Sequence, residues 1–383
     1  MTRVRCAVPA TECESSQLQP VSAQALAGCL RLQQVDGVGL QTAHRLLRRF
    51  GSYAALFEAS YEALLDCLRP AQASALLAAP APALAGLVEA TLRWQAQPGH
   101  ALLLFGAPGY PPLLAQLPAP PLLLYVQGRR ELLAQTALAI VGSRNASGQG
   151  RLTAQRMAHT LSDAGLTIIS GLALGIDAAA HVGGLAGQGS TVACIGTGPD
   201  RIYPACHGEL ARRIAVEGCM VSEFALGTPP LRDNFPRRNR LISGLAAGVL
   251  VVEAAAKSGS LITARLAADQ GREVYAIPGS IHATLARGCH QLIREDGAKL
   301  VESADDILVD LGRLQRAAAG YGPPDDGFVD TVLAALGQHS ATADGLASQL
   351  GQSVAELQGQ LLALELAGLI ERLPGGQFQR VWQ

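Results

Sequence analysis

Between residues 101 and 312 the chain repeats one pattern: runs of six or seven residues, mostly apolar at consecutive positions, separated by helix-like stretches or turns. A strand with one wetted face alternates apolar and polar side chains, whereas a strand apolar at successive positions must be covered on both faces. The runs are LLLYVQG (122–128), LAIVGS (138–143), LTIISG (166–171), STVACIG (190–196), CMVSEF (219–224), GVLVVEA (248–254) and EVYAIPG (273–279). Together they predict an α/β domain, an extended Rossmann-like core with a mostly parallel sheet. Several end in Gly or Ser at the carboxyl end of the strand, where open α/β sheets bind ligands.

The flanking regions read differently. Residues 1–98 carry a helical pattern throughout, and LRLQQVDGVGLQTAHRLLRRFGS (30–52) within them has the form of a helix-hairpin-helix, or SAM-like, unit. Its glycines free backbone N–H groups for phosphate oxygens, with Arg45, Arg48 and Arg49 nearby, so duplex DNA is a candidate partner there. The plain reading of the same residues is a helical hairpin with a Gly-x-Gly turn. After a linker at 313–327, residues 328–383 predict a small winged-helix domain: helices at 328–336, 342–350 and 354–367, then a Pro-Gly-Gly turn between two strands.

Charge distinguishes these regions. Residues 325–383 hold two basic and seven acidic residues, and the third helix has Glu356 and Glu365 without a cation. Duplex binding depends on neutralising phosphates, so this tail favours protein contact over DNA. The whole chain is near neutral, with 30 basic and 31 acidic residues, and 28 of the 30 are arginines. One arginine therefore says little; a cluster says more.

The densest cluster is DNFPRRNRLISG (233–244), with Arg237, Arg238 and Arg240 around Asn239 and Phe235 beside them. If Pro236 takes the first helical position, the arginines lie in the first turn. There the helix macrodipole disfavours each cation by about 0.3–1 kcal/mol. Such a placement calls for an anion, and Phe235 offers a ring for a base. A second candidate follows the strand at 138–143: Gly142 permits close approach, Ser143 offers a hydroxyl and Arg144 a bidentate fork, ahead of a helix expected to start near residue 149. In AAAKSGSLITA (254–264), Lys257 precedes Ser258, Gly259 and Ser260, a hydroxyl-rich helix start. Gly171, in SGLALGID, gives an amide at a strand end. Each of these has a bland alternative as a turn or cap; their common position at strand ends makes a row of phosphate sites.

No G-x-G-x-x-G fingerprint, G-x-x-x-x-G-K-[ST] loop, G-x-S-x-G elbow or H-E-x-x-H pair is present, so no cofactor, metal or catalytic residue is expected. The eight cysteines include no C-x-x-C pair and read as reduced, mostly buried thiols. No apolar run is long enough to span a bilayer and the start lacks a signal-peptide core, so a cytoplasmic protein without membrane contact is expected.

The motifs AIVGSR, SGLALGIDAAAH, VACIGTGPDRIYP, NFPRRNRLISGLA, VVEAAAKSGSLITARLAADQGREVYAIPG and LIREDGAKLV follow one another in order. This set closely resembles the DNA processing protein A (DprA, or Smf) family. The resemblance implies a cytoplasmic homodimer, not an enzyme, that binds and protects single-stranded DNA and loads RecA recombinase during natural transformation. It also implies that Arg144, Phe235, the arginines after it and Lys257 with Ser258–Ser260 line the single-strand groove. The chain departs from the pattern at ACHGEL (205–210), which lacks a lysine found in some relatives, and at His290, where Asn is usual. An alternative of another class is a nucleotide-processing Rossmann-like hydrolase. Its P-G-G-x-G-T loop with a catalytic Glu has no match here, the nearest stretch being KSGSLITA with Glu253 ahead of it.

Overall fold

A computed structural model describes residues 20–312 and, in the C-terminal part, 331–336, 340–351, 354, 357, 358, 361, 365, 370–373 and 376–380. The linker expected at 313–327, and much of the third helix expected at 354–367, lie outside the described residues. The chain forms two compact units, one up to Gln315 and one from Arg316.

In the first unit, nine strands form one sheet: β1 (His100–Leu104), β2 (Leu123–Gly128), β3 (Ala137–Val141), β4 (Thr167–Ser170), β5 (Thr191–Cys194), β6 (Cys219–Ser222), β7 (Gly248–Val251), β8 (Glu273–Ala276) and β9 (Lys299–Leu300). Their order is β1-β2-β6-β5-β4-β3-β7-β8-β9. From β6 to β9 every pairing is parallel; β1 and β2 add an antiparallel edge. Each of the seven expected runs coincides with a strand; β3, β5 and β8 stop short of the Gly in their runs, whereas β2, β4 and β6 end on Gly128, Ser170 and Ser222.

The double burial follows from side-chain alternation. In β3, Ala137, Ala139 and Val141 enter the core on one face of the sheet, while Leu138 and Ile140 enter the core on the other. Cys194, Cys219 and Cys289 sit in the first of these cores and Cys29 in that of the helical region. Cys206 is an exposed thiol.

Among the described residues, six helices precede the sheet, from Ala23–Gln33 to Ala83–Gln95. The hairpin turn lies between Ala23–Gln33 and Leu40–Phe50, with Gly37 at φ +75°. Leu26, Leu30, Leu46, Leu56 and Leu76 share one core with Leu102 of β1 and with Leu122, Leu123 and Tyr125 at β2. Residue 98 thus marks a change of secondary structure without a break in the core.

The second unit is described by itself. Helices Thr331–Leu336 and Ala343–Leu350 accompany a three-stranded sheet of β10 (Ala341–Thr342), β11 (Ile370–Leu373) and β12 (Gln377–Arg380), in the order β10-β12-β11. Leu336, Leu346, Leu357, Leu361, Ile370 and Phe378 form its core, as a winged helix requires. Among the described residues, no helix is long and apolar enough to cross a membrane.

Candidate nucleic-acid interface

The chain runs from β3 outward through β4, β5 and β6, then returns to place β7 on the other side of β3. The loops leaving β3 and β7 therefore part at their carboxyl ends and leave a crevice between them, the place where open α/β sheets take ligands. A groove of about 810 Å3 opens there. Gly142, Ser143 and Arg144 form its wall after β3, and Lys257, Ser258, Gly259 and Ser260 its wall after β7. The helix Asn234–Leu245 supplies Phe235, Arg238 and Asn239. Ten of the thirteen residues singled out from sequence meet in this one groove.

The β3 and β7 loops are tied together at close range. A side chain at Gly142 would meet Ile176 at 2.6 Å and the Glu253 carbonyl at 2.8 Å, so only glycine fits. The Ser143 N–H donates to that carbonyl at 2.7 Å. Beyond β7, the Ser258 hydroxyl caps the helix Gly259–Asp269, accepting from the Ser260 N–H at 3.3 Å.

Four cations and one carboxylate, Asp177, line the groove. Arg144, Arg232 and Lys257 have no ion-pair partner among the described residues, whereas Arg129, Arg213, Arg265 and Lys299 elsewhere do. The Arg144 guanidinium stands 5.7 Å from the centre of the Phe235 ring, within cation–π reach. Positive charge left unpaired beside an aromatic surface is suited to a polyanion that also carries flat rings.

Three expectations need correction. The first concerns the helix after Ser143, which starts at Gly148; its N-terminus already holds an anion, the chain's own Glu253. The carboxylate accepts from the Ser147 N–H at 2.9 Å and from its hydroxyl at 2.6 Å. Gly150 leaves room for it, since a Cβ there would overlap the carboxylate. An external phosphate cannot use this helix end. The same contacts engage both oxygens of the one carboxylate a hydrolase reading would single out.

The second concerns the arginine cluster. Its helix begins at Asn234, with Pro236 at the third position, so Arg238 and Arg240 fall beyond the first turn and the macrodipole penalty does not select them. Proline is tolerated there because the first four helical N–H groups lack partners in any case. Arg240 instead pairs with the buried Glu223 and donates to the Ala119 carbonyl at 2.9 Å. Arg237 is exposed on the other side of the helix, 5.1 Å from the Phe224 ring, where it lines a separate cavity of about 520 Å3 beside the hairpin turn. Neither Arg237 nor Arg240 reaches the groove. At the hairpin, Arg45 donates to the Cys67 carbonyl and Arg48 to that of His44, so two of its three arginines serve local structure.

The third concerns Arg238 and Gly171, which belong to the groove's floor and support. Arg238 is 4% exposed and donates to the Cys194 carbonyl at 3.2 Å; its Nε has no hydrogen-bond partner. Asp177 lies alongside and accepts from the Gly171 N–H at 3.1 Å and the Ala173 N–H at 3.4 Å. Burial raises the Asp177 pKa, opposed by the Arg238 charge and the two amides; burial lowers that of Arg238, opposed by Asp177. Gly171 offers no phosphate site because its Cα faces the Arg238 guanidinium directly.

His181 is fully buried beneath this floor. The Thr191 hydroxyl donates to the Ile168 carbonyl, so His181 Nδ1 donates to Thr191 Oγ1, at 2.8 Å. His181 Nε2 accepts from the Leu172 N–H at 3.2 Å. Burial first, and then the Arg238 charge, depress its pKa to about 3. A folded pKa below the unfolded one stabilises above the unfolded value, about 6.5, and that stability drains as pH falls toward 3. Between pH 7 and pH 5 the loss through His181 is about 2 kcal/mol. His181→Gln should lose correspondingly less over that interval in denaturant titrations, and equal losses in both proteins would refute the assignment.

Sequence reasoning missed Arg232, Tyr203 and Asp177, which also line the groove. Arg232 sits in a loop without a local pattern, and Tyr203 lies near the end of the motif VACIGTGPDRIYP, where no residue was singled out for the site. Asp177 was visible in SGLALGID, but its partner Arg238 is 61 positions away.

The family model for DNA recombination-mediator protein A matches residues 101–312, and that for the DprA winged helix domain matches residues 317–376. Protein Smf of Escherichia coli is 43% identical over 299 residues, covering 76% of this chain and 80% of Smf. DNA processing protein DprA of Streptococcus pneumoniae is 46% identical over 201 residues, covering 52% of this chain and 71% of its own. The X-ray structure of that protein superposes with a TM-score of 0.63 at 35% identity, over 76% of this chain and 99% of that one. A structure of DNA processing protein A from Helicobacter pylori, described for its unique single-stranded DNA binding mode, superposes with a TM-score of 0.51. Its identity is 27%, over 56% of this chain and 96% of that one.

Proposed function

The chain belongs to the DNA recombination-mediator protein A family, and on that premise we propose that the groove between the β3 and β7 loops holds single-stranded DNA. The observation that carries this reading is the set of unpaired cations, Arg144, Arg232 and Lys257, gathered around the Phe235 ring. Phosphates satisfy the cations and base faces cover the ring, while base edges go unread, so binding tolerates any sequence. Ser143, Asn239, Ser258 and Ser260 supply small polar side chains at the same walls, and Gly142 and Gly259 add no side chain to crowd them. Arg238 contributes from the floor by fixing wall geometry through Cys194 and Asp177.

The fuller role in this reading is protection of incoming DNA and its transfer to RecA recombinase in natural transformation, by a cytoplasmic homodimer. The acidic winged-helix unit contacts protein, since its charge repels phosphates. The similarity to the H. pylori protein supports the single-strand part of the reading.

A salt titration tests it. Arg144→Ala, and separately Lys257→Ala, should weaken binding about 10- to 100-fold. The loss should be alike for oligonucleotides of different sequence. The slope of log K against log salt should become shallower by about 0.7 for each phosphate that is no longer neutralised. An Arg144→Ala Lys257→Ala protein that stays folded and binds single strands as the parent does would sink the reading.

A further inference from the structure

Tyr203 reaches the groove from the loop that follows β5, next to Phe235 of the helix Asn234–Leu245. It is 47% exposed, one of the exposed large apolar side chains of the surface. Its ring centre is 5.5 Å from that of Phe235, and the two planes are inclined by 44°. Resting on the single-strand reading above, we propose that Tyr203 and Phe235 form a two-ring platform seating two consecutive bases, and that its tilt selects unpaired strands.

Neighbouring bases in a duplex strand are parallel and rise about 3.4 Å per step. Two rings farther apart than that, and tilted to one another, cannot each take one of two stacked neighbours. A single strand unstacks at small cost and splays its bases, one onto each ring. Arg144, 5.7 Å from the Phe235 ring, sits close enough to meet a phosphate of the same strand. The bland alternative is a tyrosine that merely shields the edge of Phe235; it requires neither an exposed ring face nor a place in the groove wall.

The test uses the full chain and oligothymidylate. Tyr203→Ala should bind about 5- to 150-fold more weakly, the loss of one base–ring stack. Tyr203→Phe should bind like the parent. Oligonucleotides with a single abasic site, moved along the strand, should show two adjacent sensitive positions in the parent and one in Tyr203→Ala. The emission of a Tyr203→Trp protein should be quenched by oligothymidylate and not by a polyanion without bases. Parent-like affinity in Tyr203→Ala, or an equal loss in Tyr203→Phe, overturns the platform while leaving the single-strand reading intact, provided that Arg144→Ala still weakens binding. A parent protein without affinity for oligothymidylate overturns both.

Discussion

Gly171→Ala is expected to destabilise the first unit by about 3 kcal/mol, the upper end of the range for overpacking a close-packed site. A Cβ at this position would occupy the space of the Arg238 guanidinium and come within 2.8 Å of an Asp177 oxygen. Ordinary overpacking costs about 1–3 kcal/mol because neighbours give a little. Here the neighbour is a buried cation held on the Cys194 carbonyl, so making room breaks that bond and moves the charge away from Asp177 toward the groove that Arg238 also lines. The denaturant midpoint should fall with the slope unchanged. Because the deepest overlap is with the Arg238 side chain, Gly171→Ala should cost less in an Arg238→Met background than in the parent, a failure of additivity that marks direct contact. A Gly171→Ala midpoint equal to the parent's contradicts the packing described.

The second large effect concerns Glu253→Ala, expected to cost about 2–3 kcal/mol. Two charge-assisted bonds from Ser147 disappear, each worth about 1.5–3 kcal/mol when shielded and less at a half-buried site. Removing the carboxylate also uncovers the N-terminus of the helix Gly148–Asp163, which then becomes a site for an external anion. Sulfate should therefore raise the thermal midpoint of Glu253→Ala more than that of the parent. Equal responses to sulfate would show that the carboxylate does not occupy that helix end.

The sheet was readable because its strands are apolar at successive positions, a pattern that demands two covered faces wherever the strands sit. β9 escaped notice since both its residues are exposed and it is two residues long. β1 pairs antiparallel at the edge, where no crossover helix announces it. At the site, residue types at strand ends were informative: glycines, hydroxyls and cations there converge whatever the details of the loops. What did not follow was the use of each charge. Glu253 and Ser147 are 106 positions apart, and nothing local says that one fills the helix end beside the other. In the run of three arginines, a two-residue shift of the helix start turns one outward to Phe224, one into the floor and one onto Glu223. Proline at the third helical position is as acceptable as at the first, so the sequence signal leaves that shift open.

The core shared by the N-terminal helices and the first two strands limits how a lineage can exchange parts of this protein. A crossover near residue 98 would trade the helices for foreign ones and leave Leu102, Leu122, Leu123 and Tyr125 facing side chains not selected to cover them. Recombination that keeps the fold must carry β1 and β2 along with the helices, so the unit of inheritance at this end extends to about residue 128, past the visible change from helix to strand.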